Sequence, residues 1–178
     1  MKHFPKLETP RLILSSLEKT DIPLIVEYLQ EKVISENTSH IPYPYTLADA
    51  QNWIIMSEEA FKAKTAYNFA IRKKNGKIIG SIGLHDTEDD KAELGYWIAL
   101  PFWGKGFATE AAQAVLDFGI KKLGFHKIYA SFLLHNIASG KVMKKIGMQR
   151  EALLKDHVKK GNQYMDVLMF SFIANAST

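Results

Sequence analysis

The 178-residue sequence contains no cysteine. That excludes disulfide frameworks, thiolate metal sites and thiol nucleophiles together. Long apolar runs are missing as well: none approaches the roughly 18 residues a membrane-spanning helix takes. The opening MKHFPKLETPRL lacks the apolar centre of a secretory leader. No long basic block occurs either. The net charge of +4 is spread over short runs such as Arg72–Lys74, Lys121–Lys122, Lys144–Lys145 and Lys159–Lys160, and without interleaved aromatics these do not make a nucleic-acid footprint. His85, His126 and His135 show no ligand-like spacing, so no metal is assigned. The expectation is a cytoplasmic enzyme or binding domain, with neither membrane nor nucleic acid as partner.

A hydrophobic share of 47% is enough to bury a core without staples. No repeat, low-complexity tract or linker divides the chain, which predicts one domain over 1–178. Arg11–Leu17 reads as a strand, and a helix begins at Asp21 and runs to about Gln30, with Ile22, Ile25, Val26 and Leu29 on one face. The Pro- and Tyr-rich SHIPYPYT interrupts regular structure before a second helix, Leu47–Lys64. Two strands flank the Asn75–Gly76 hairpin signal, and a third, Lys91–Leu100, follows the acidic turn DTEDD. A helix from about Gly106 to Leu123 carries Ala108, Ala112, Val115 and Gly119 on one stripe, small enough to approach a sheet closely. KIYASFLL has the apolar character of a buried strand. NIASGKVMKKIG reads as a helix capped by Asn136 and stopped at Gly147. The chain closes with a hairpin, EALLKDHV and QYMDVLMFSFI, around KKGN. The order βαα-βββ-α-β-α-ββ describes a mixed α/β or α+β fold.

PFWGKGFATEA (Pro101–Ala111) places two glycines and a lysine between a strand and a helix. It is not a Walker loop, because Gly104 lacks the downstream Gly-Lys-Ser/Thr. Nor is it a dinucleotide fingerprint, because Thr109 stands where a third glycine belongs. The physics still favours phosphate: glycine lets the backbone come close to a ligand, and a helix start offers unpaired N–H groups with partial positive charge. A tight strand-to-helix turn is the simpler alternative.

The loop, the strand KIYASFLL and HNIASGKVMKKIGM, in this order, resemble the acyl-CoA core of the GNAT N-acetyltransferase superfamily. LETPRLILSSL and GNQYMDVLMFS resemble its branch of ribosomal-protein N-terminal (alanine/serine) acetyltransferases. The resemblance extends from Leu7 to Phe172. It implies a central, mostly antiparallel twisted sheet with a parallel, splayed strand pair flanked by helices. It also implies acetyl-CoA as co-substrate. The implied contacts are Ile98 and Leu100 at the strand end, then Trp103, Gly104, Lys105, Gly106, Phe107, Ala108 and Thr109. Amides from Gly104 to Thr109 would cradle the diphosphate, and a backbone N–H near Ile98 would face the thioester carbonyl. Trp103 departs from the family's usual Gln or Arg, and Ser15 from its frequent arginine.

Acetyl transfer to an amine needs a neutral amine, a polarised carbonyl and a proton for the thiolate. Glu93 matches the family's glutamate base; a surface carboxylate paired with Lys91 is the alternative. Alternation puts Glu93, Gly95, Trp97 and Ala99 on one face, with Trp97 as a wall for the acceptor, and Leu94, Tyr96, Ile98 and Leu100 on the other. The resemblance gives Asn136 a pantetheine contact and Ser139 the thiolate's proton donor. Other branches use a tyrosine there, and none is read at that place in this chain. Asp156 and His157 both fall near the family's acidic acceptor position, and the choice between them stays open. Lys145, with Lys141 and Lys144, is a candidate for the 3′-phosphate. The implied activity is direct attack of a primary amine on acetyl-CoA, the acceptor being the α-amine of a protein or peptide. A small amine such as an antibiotic or polyamine, and a catalytically idle CoA-binding module, are the rivals. IPYPYT and the KKGN hairpin form the expected acceptor rim. The chain is expected to be a monomer or homodimer, its final strand offering an edge to another chain.

Overall fold

The computed structural model describes residue 1 and residues 3–174. One eight-stranded sheet organises them. Its strands are β1 (Leu7–Glu8), β2 (Leu12–Ser16), β3 (Tyr67–Lys73), β4 (Ile78–Glu88), β5 (Lys91–Ile98), β6 (Lys127–Leu133), β7 (Gln149–Lys160) and β8 (Gln163–Ile173). The helices are α1 (Ile22–Leu29), α2 (Lys32–Asn37), α3 (Leu47–Ala63), α4 (Phe107–Phe118) and α5 (Ile137–Lys145). Strand order is β1-β2-β3-β4-β5-β6-β8-β7, and every neighbouring pair is antiparallel except β5 with β6. That parallel pair is short, joining only Lys91–Glu93 to Lys127–Tyr129. Beyond Glu93 the two strands part.

Each face of the sheet carries its own core. On one side Leu94 and Ile98 of β5 pack with Ala111, Ala112 and Val115 of α4 and Met143 of α5. The small stripe of α4 allows this close approach: a Cβ on Gly119 would stand 2.5 Å from Ile128 Cδ1. On the other side Trp97 and Ala99 pack with Ile25 of α1, Ile34 of α2 and Ala50 and Ile54 of α3. Thr46 starts α3 by a reciprocal cap, its Oγ1 accepting from Asp49 N at 3.2 Å while Asp49 Oδ2 accepts from Thr46 N at 2.8 Å. Under this second layer lies an ion pair, Arg72 donating to both carboxylate oxygens of Asp21 at 2.6 and 2.7 Å. Asp21 therefore precedes α1 as an anchor to β3 rather than as its side-chain cap.

Three features differ from the sequence reading. α2 was not expected: it is a six-residue helix, too short for a periodic signal, and partners far along the chain meet its last carbonyls. His135 Nε2 lies 3.1 Å from Glu36 O, Asn136 Nδ2 donates to Asn37 O at 3.1 Å, and Lys160 Nζ donates to Ser35 O. The KKGN turn is reduced to Gly161–Asn162, because both hairpin strands extend into it. The final strand is not an edge strand: β8 lies between β6 and β7, paired with β6 over Val167–Ile173 and with β7 over Gln163–Ser171. Among the described residues no helix is long and apolar enough to cross a membrane.

Candidate active site

The loop between β5 and α4 leaves its amides free. After Ile98 a short turn closes with Trp103 N donating to Leu100 O at 3.1 Å, and the next backbone donor to find a partner is Glu110 N, bonded to Gly106 O at 3.1 Å. Among the described residues, no N–H from Gly104 to Thr109 has an internal acceptor. Gly104 and Gly106 have φ of +72° and +78°, a left-handed backbone that side-chain-bearing residues rarely take. It turns successive N–H groups to one side, making a concave anion cradle continuous with the positive end of α4.

The outer side of the loop is tied down. Arg11 donates from Nη1 to Lys105 O at 2.9 Å and from Nε to Glu110 Oε2 at 2.6 Å, and its guanidinium lies 4.6 Å from the Phe107 ring centre. Thr9 Oγ1 donates to Glu110 Oε1 at 2.6 Å. Burial opposes the charge of Glu110, but these hydrogen bonds outweigh it and lower its pKa below 4.5. The cradle is thus held open before any anion arrives.

The loop opens into a cleft of about 1190 Å³ that passes through the gap between β5 and β6. The ladder sets which groups face that gap. Ala99 N bonds Ile79 O at 2.9 Å and Gly80 lies opposite Ile98. Antiparallel bonding alternates, so Leu94, Tyr96 and Ile98 turn their N–H and C=O groups away from β4, toward the missing β6. Ile98 N–H is thereby presented to the gap. Its carbonyl is satisfied by Trp103, whose indole Nε1 donates to Ile98 O at 2.6 Å. Through that contact Trp103 closes the strand end where the ladder stops.

The two sides of the gap differ chemically. On the α4–α5 side, the Tyr96 hydroxyl and Ser139 Oγ share a hydrogen bond of 2.9 Å. Burial pushes the Tyr96 pKa up to about 12, the Ser139 bond opposing in part, so the phenol stays protonated at neutral pH. Asn136 caps α5, its Oδ1 accepting from Ser139 N at 3.2 Å, while its amide holds α2. On the opposite side, Glu93 Oε1 accepts from Ser131 Oγ at 3.1 Å. Lys91 pairs with Asp89 instead, at 3.3 Å, so the alternative Glu93–Lys91 pairing is not made. Trp97 is 7% exposed, more core than wall, although an edge of it reaches the cleft.

The cleft gathers most of the sequence candidates: Glu93, Ile98, Trp103, Gly104 and Gly106 line it, and so do Phe107, Ala108, Thr109, Asn136, Ser139, Lys145 and His157. Lys141 joins them, whereas Lys144 does not. Three further candidates fall outside its lining. Leu100 turns outward, 38% exposed. Lys105 folds back to donate to Pro101 O at 2.8 Å, over the Phe102 ring. Asp156 sits at a bulge with φ of +49°, its N–H bonded to Asp166 Oδ1 at 2.9 Å, so of the Asp156–His157 pair only His157 reaches the cleft. Sequence reading missed Tyr96 and His85. The strand alternation places Tyr96 on the face of Ile98, but its partner is 43 residues away. His85 was weighed only as a metal ligand, and the signal available was its place directly after Ile78–Leu84, a run of apolar or small residues in the same strand.

Known proteins resemble this chain in sequence and in fold. The family model described as acetyltransferase (GNAT) domain matches residues 11–149. An uncharacterized N-acetyltransferase p20 of Bacillus licheniformis is 31% identical over 170 residues, covering 94% of this chain and 95% of that protein. Among solved structures, the RimL ribosomal L7/L12 α-N-protein acetyltransferase with coenzyme A superimposes with a TM-score of 0.87 at 17% identity, over 95% of this chain and 98% of that one. The spermidine N-acetyltransferase of Vibrio cholerae, with CoA and spermine, gives 0.80 at 22% identity, over 93% and 96%. Both structural likenesses establish the fold. A free-amide cradle at a helix start, a splayed parallel pair and a family match over most of the chain agree: the protein belongs to the GNAT acetyltransferase family and is an acetyl-CoA-dependent N-acetyltransferase.

Proposed function

We propose that the enzyme acetylates the α-amine at the N-terminus of a protein or peptide, by direct attack on acetyl-CoA bound through the β5–β6 gap. The observation that carries the donor half is the row of unpartnered N–H groups from Gly104 to Thr109 at the mouth of the gap. These amides hold the diphosphate, with the Thr109 hydroxyl as a further donor. Ile98 N–H meets the thioester carbonyl, which gains negative charge as the amine adds. Asn136 contacts the pantetheine arm, and Lys141 and Lys145 take the 3′-phosphate. The hydrogen-bonded Tyr96–Ser139 pair protonates the leaving thiolate. Glu93, on the opposite face, receives the amine. No acyl-enzyme is required, and the chain holds no cysteine to form one.

Support for an α-amine comes from the opening and closing segments, which resemble the ribosomal-protein branch. The Ile41–Pro42 and His157–Lys159 segments border the acceptor side. A small amine is the second reading, favoured by Asp86 and Glu93, two carboxylates on that side suited to a polycation.

A panel of Ser- and Ala-initiated peptides, spermidine and aminoglycosides, assayed with acetyl-CoA for thiol release, tests both. Release with the peptides alone is the expected outcome. Release with polyamines alone moves the acceptor to the second reading. Tight acetyl-CoA binding with no release on any amine makes the protein an idle CoA-binding module.

A further inference from the structure

His85 lines the cleft but takes no part in holding the cofactor or protonating the thiolate. It lies on β4 directly opposite Glu93 of β5, and the next pair along the same face is Gly83 opposite Gly95. Atoms of the imidazole lie over both glycines. A Cβ built on Gly83 would stand 2.9 Å from His85 Nε2 and 2.4 Å from Asn68 Oδ1, and one on Gly95 would stand 3.6 Å from Nε2. Neither glycine is among those with positive φ. Their value is therefore space for the ring rather than backbone freedom. Both His85 and Asn68 line the cleft, on the acceptor side.

Resting on the acetyltransferase reading above, we propose that His85, set on the Gly83–Gly95 floor opposite Glu93, is the base that takes the proton from the incoming ammonium. A base must be neutral to serve, and burial lowers the His85 pKa below 6.5, with Asp86 opposing and His40 reinforcing the shift. The charged and polar groups facing the ring are Asp86 on its own strand, Glu93 on β5, Asn68 on β3 and His40 in the segment after α2. Glu93 then holds the ammonium and steadies the imidazolium once it forms.

The step balances. R–NH3⁺ gives one proton to His85, the nitrogen lone pair forms the C–N bond, and the C–S bond breaks. The sulfur takes a proton from Tyr96–Ser139, the second nitrogen proton restores that pair, and the His85 proton passes to solvent. Base and acid stand on opposite faces of β5, with environments that push their pKa values apart in the directions that base and acid need.

The test uses the whole enzyme, saturating acetyl-CoA and a Ser-initiated octapeptide as probe, with His85→Gln, Glu93→Gln and Asp86→Asn. In the wild type, kcat/KM should show an acidic limb below pH 6.5. His85→Gln should abolish that limb and lower kcat/KM roughly 10²-fold or more, with acetyl-CoA affinity unchanged. Glu93→Gln should keep the limb, while Asp86→Asn should move it to lower pH, since the carboxylate that opposes the shift is lost. A limb that survives in His85→Gln, or disappears in Glu93→Gln, overturns the proposal and returns the role of base to Glu93. Histidine NMR titration needs no acceptor: His85 should titrate below 6.5 and lower still in Asp86→Asn. A His85 that is charged at pH 6.5 overturns the proposal even if the octapeptide proves a poor acceptor, whereas absence of any acetyltransfer alongside a neutral His85 counts against the choice of acceptor alone.

Discussion

Tyr96 and Ser139 make a two-hydroxyl relay, one from a strand and one from the first turn of a helix. Because burial pushes the phenol pKa up to about 12, the proton donation proposed for the pair is available across the whole working range. Ser139→Ala should slow thiol release roughly 10- to 100-fold, within the usual reach of a positioned acid, and leave acetyl-CoA affinity nearly unchanged. Tyr96→Phe should do about the same, and the double variant should be no slower than the worse single one, because the two act as a unit. Additive losses in single-turnover assays would divide the pair into two independent roles. The role of Ser139 was available only through the family resemblance of HNIASGKV, since its place after a helix cap reads equally as a bystander. Tyr96 was not, because alternation tells which face a side chain takes but not which distant residue meets it there. His85 was hidden for a related reason: spacing along the chain detects metal ligands, whereas a histidine lying on glycines two positions away and across a strand is visible only once the register is known.

At the scale of elements, the donor loop was the most legible part of the chain and α2 the least. Gly104-x-Gly106 announces itself through residues chosen for backbone conformation. α2, by contrast, is held by His135, Asn136 and Lys160, about 100 or more positions away. Those contacts fasten the arm over the acceptor side to the half of the molecule that carries α5 and β7. The Lys160 ammonium is partly buried there, which lowers its pKa, with Glu36 opposing. Lys160→Met keeps the stem and removes the tie to β7, leaving Ser35 O with only its local partner Thr38, whose N–H donates at 3.2 Å. Hydrogen exchange across residues 32–45 should quicken, and KM for the acceptor should rise severalfold while KM for acetyl-CoA stays put. Unchanged exchange in that segment would show that the apolar contacts of Ile34 suffice to hold the arm.

The molecule as a whole joins two halves that meet only weakly at the site. β1–β5 with α1–α3 form one wing and β6–β8 with α5 the other, and across the sheet they share three residues of parallel pairing on each strand. Such a splay survives only if each wing is firm in itself. The first is braced by Arg72–Asp21, whose side chains are 11% and 5% exposed. Asp21→Asn leaves a buried guanidinium without its charge partner and should cost about 3–5 kcal/mol, read as a lower denaturant midpoint with an unchanged m-value. A loss under about 1 kcal/mol would mean that Glu18, 3.8 Å from Arg72, takes over the partnership.

In the second wing, β8 follows β7 in the chain yet lies inside it, against β6. During synthesis, β6 and β7 therefore leave the ribosome with nothing between them and must wait for β8 to arrive. A nascent chain halted at Lys160 would carry two open ladders, the arrangement most prone to stick to its neighbours. The second side of the catalytic gap therefore cannot be completed until β8 has followed β7 out of the ribosome and slipped in beside β6.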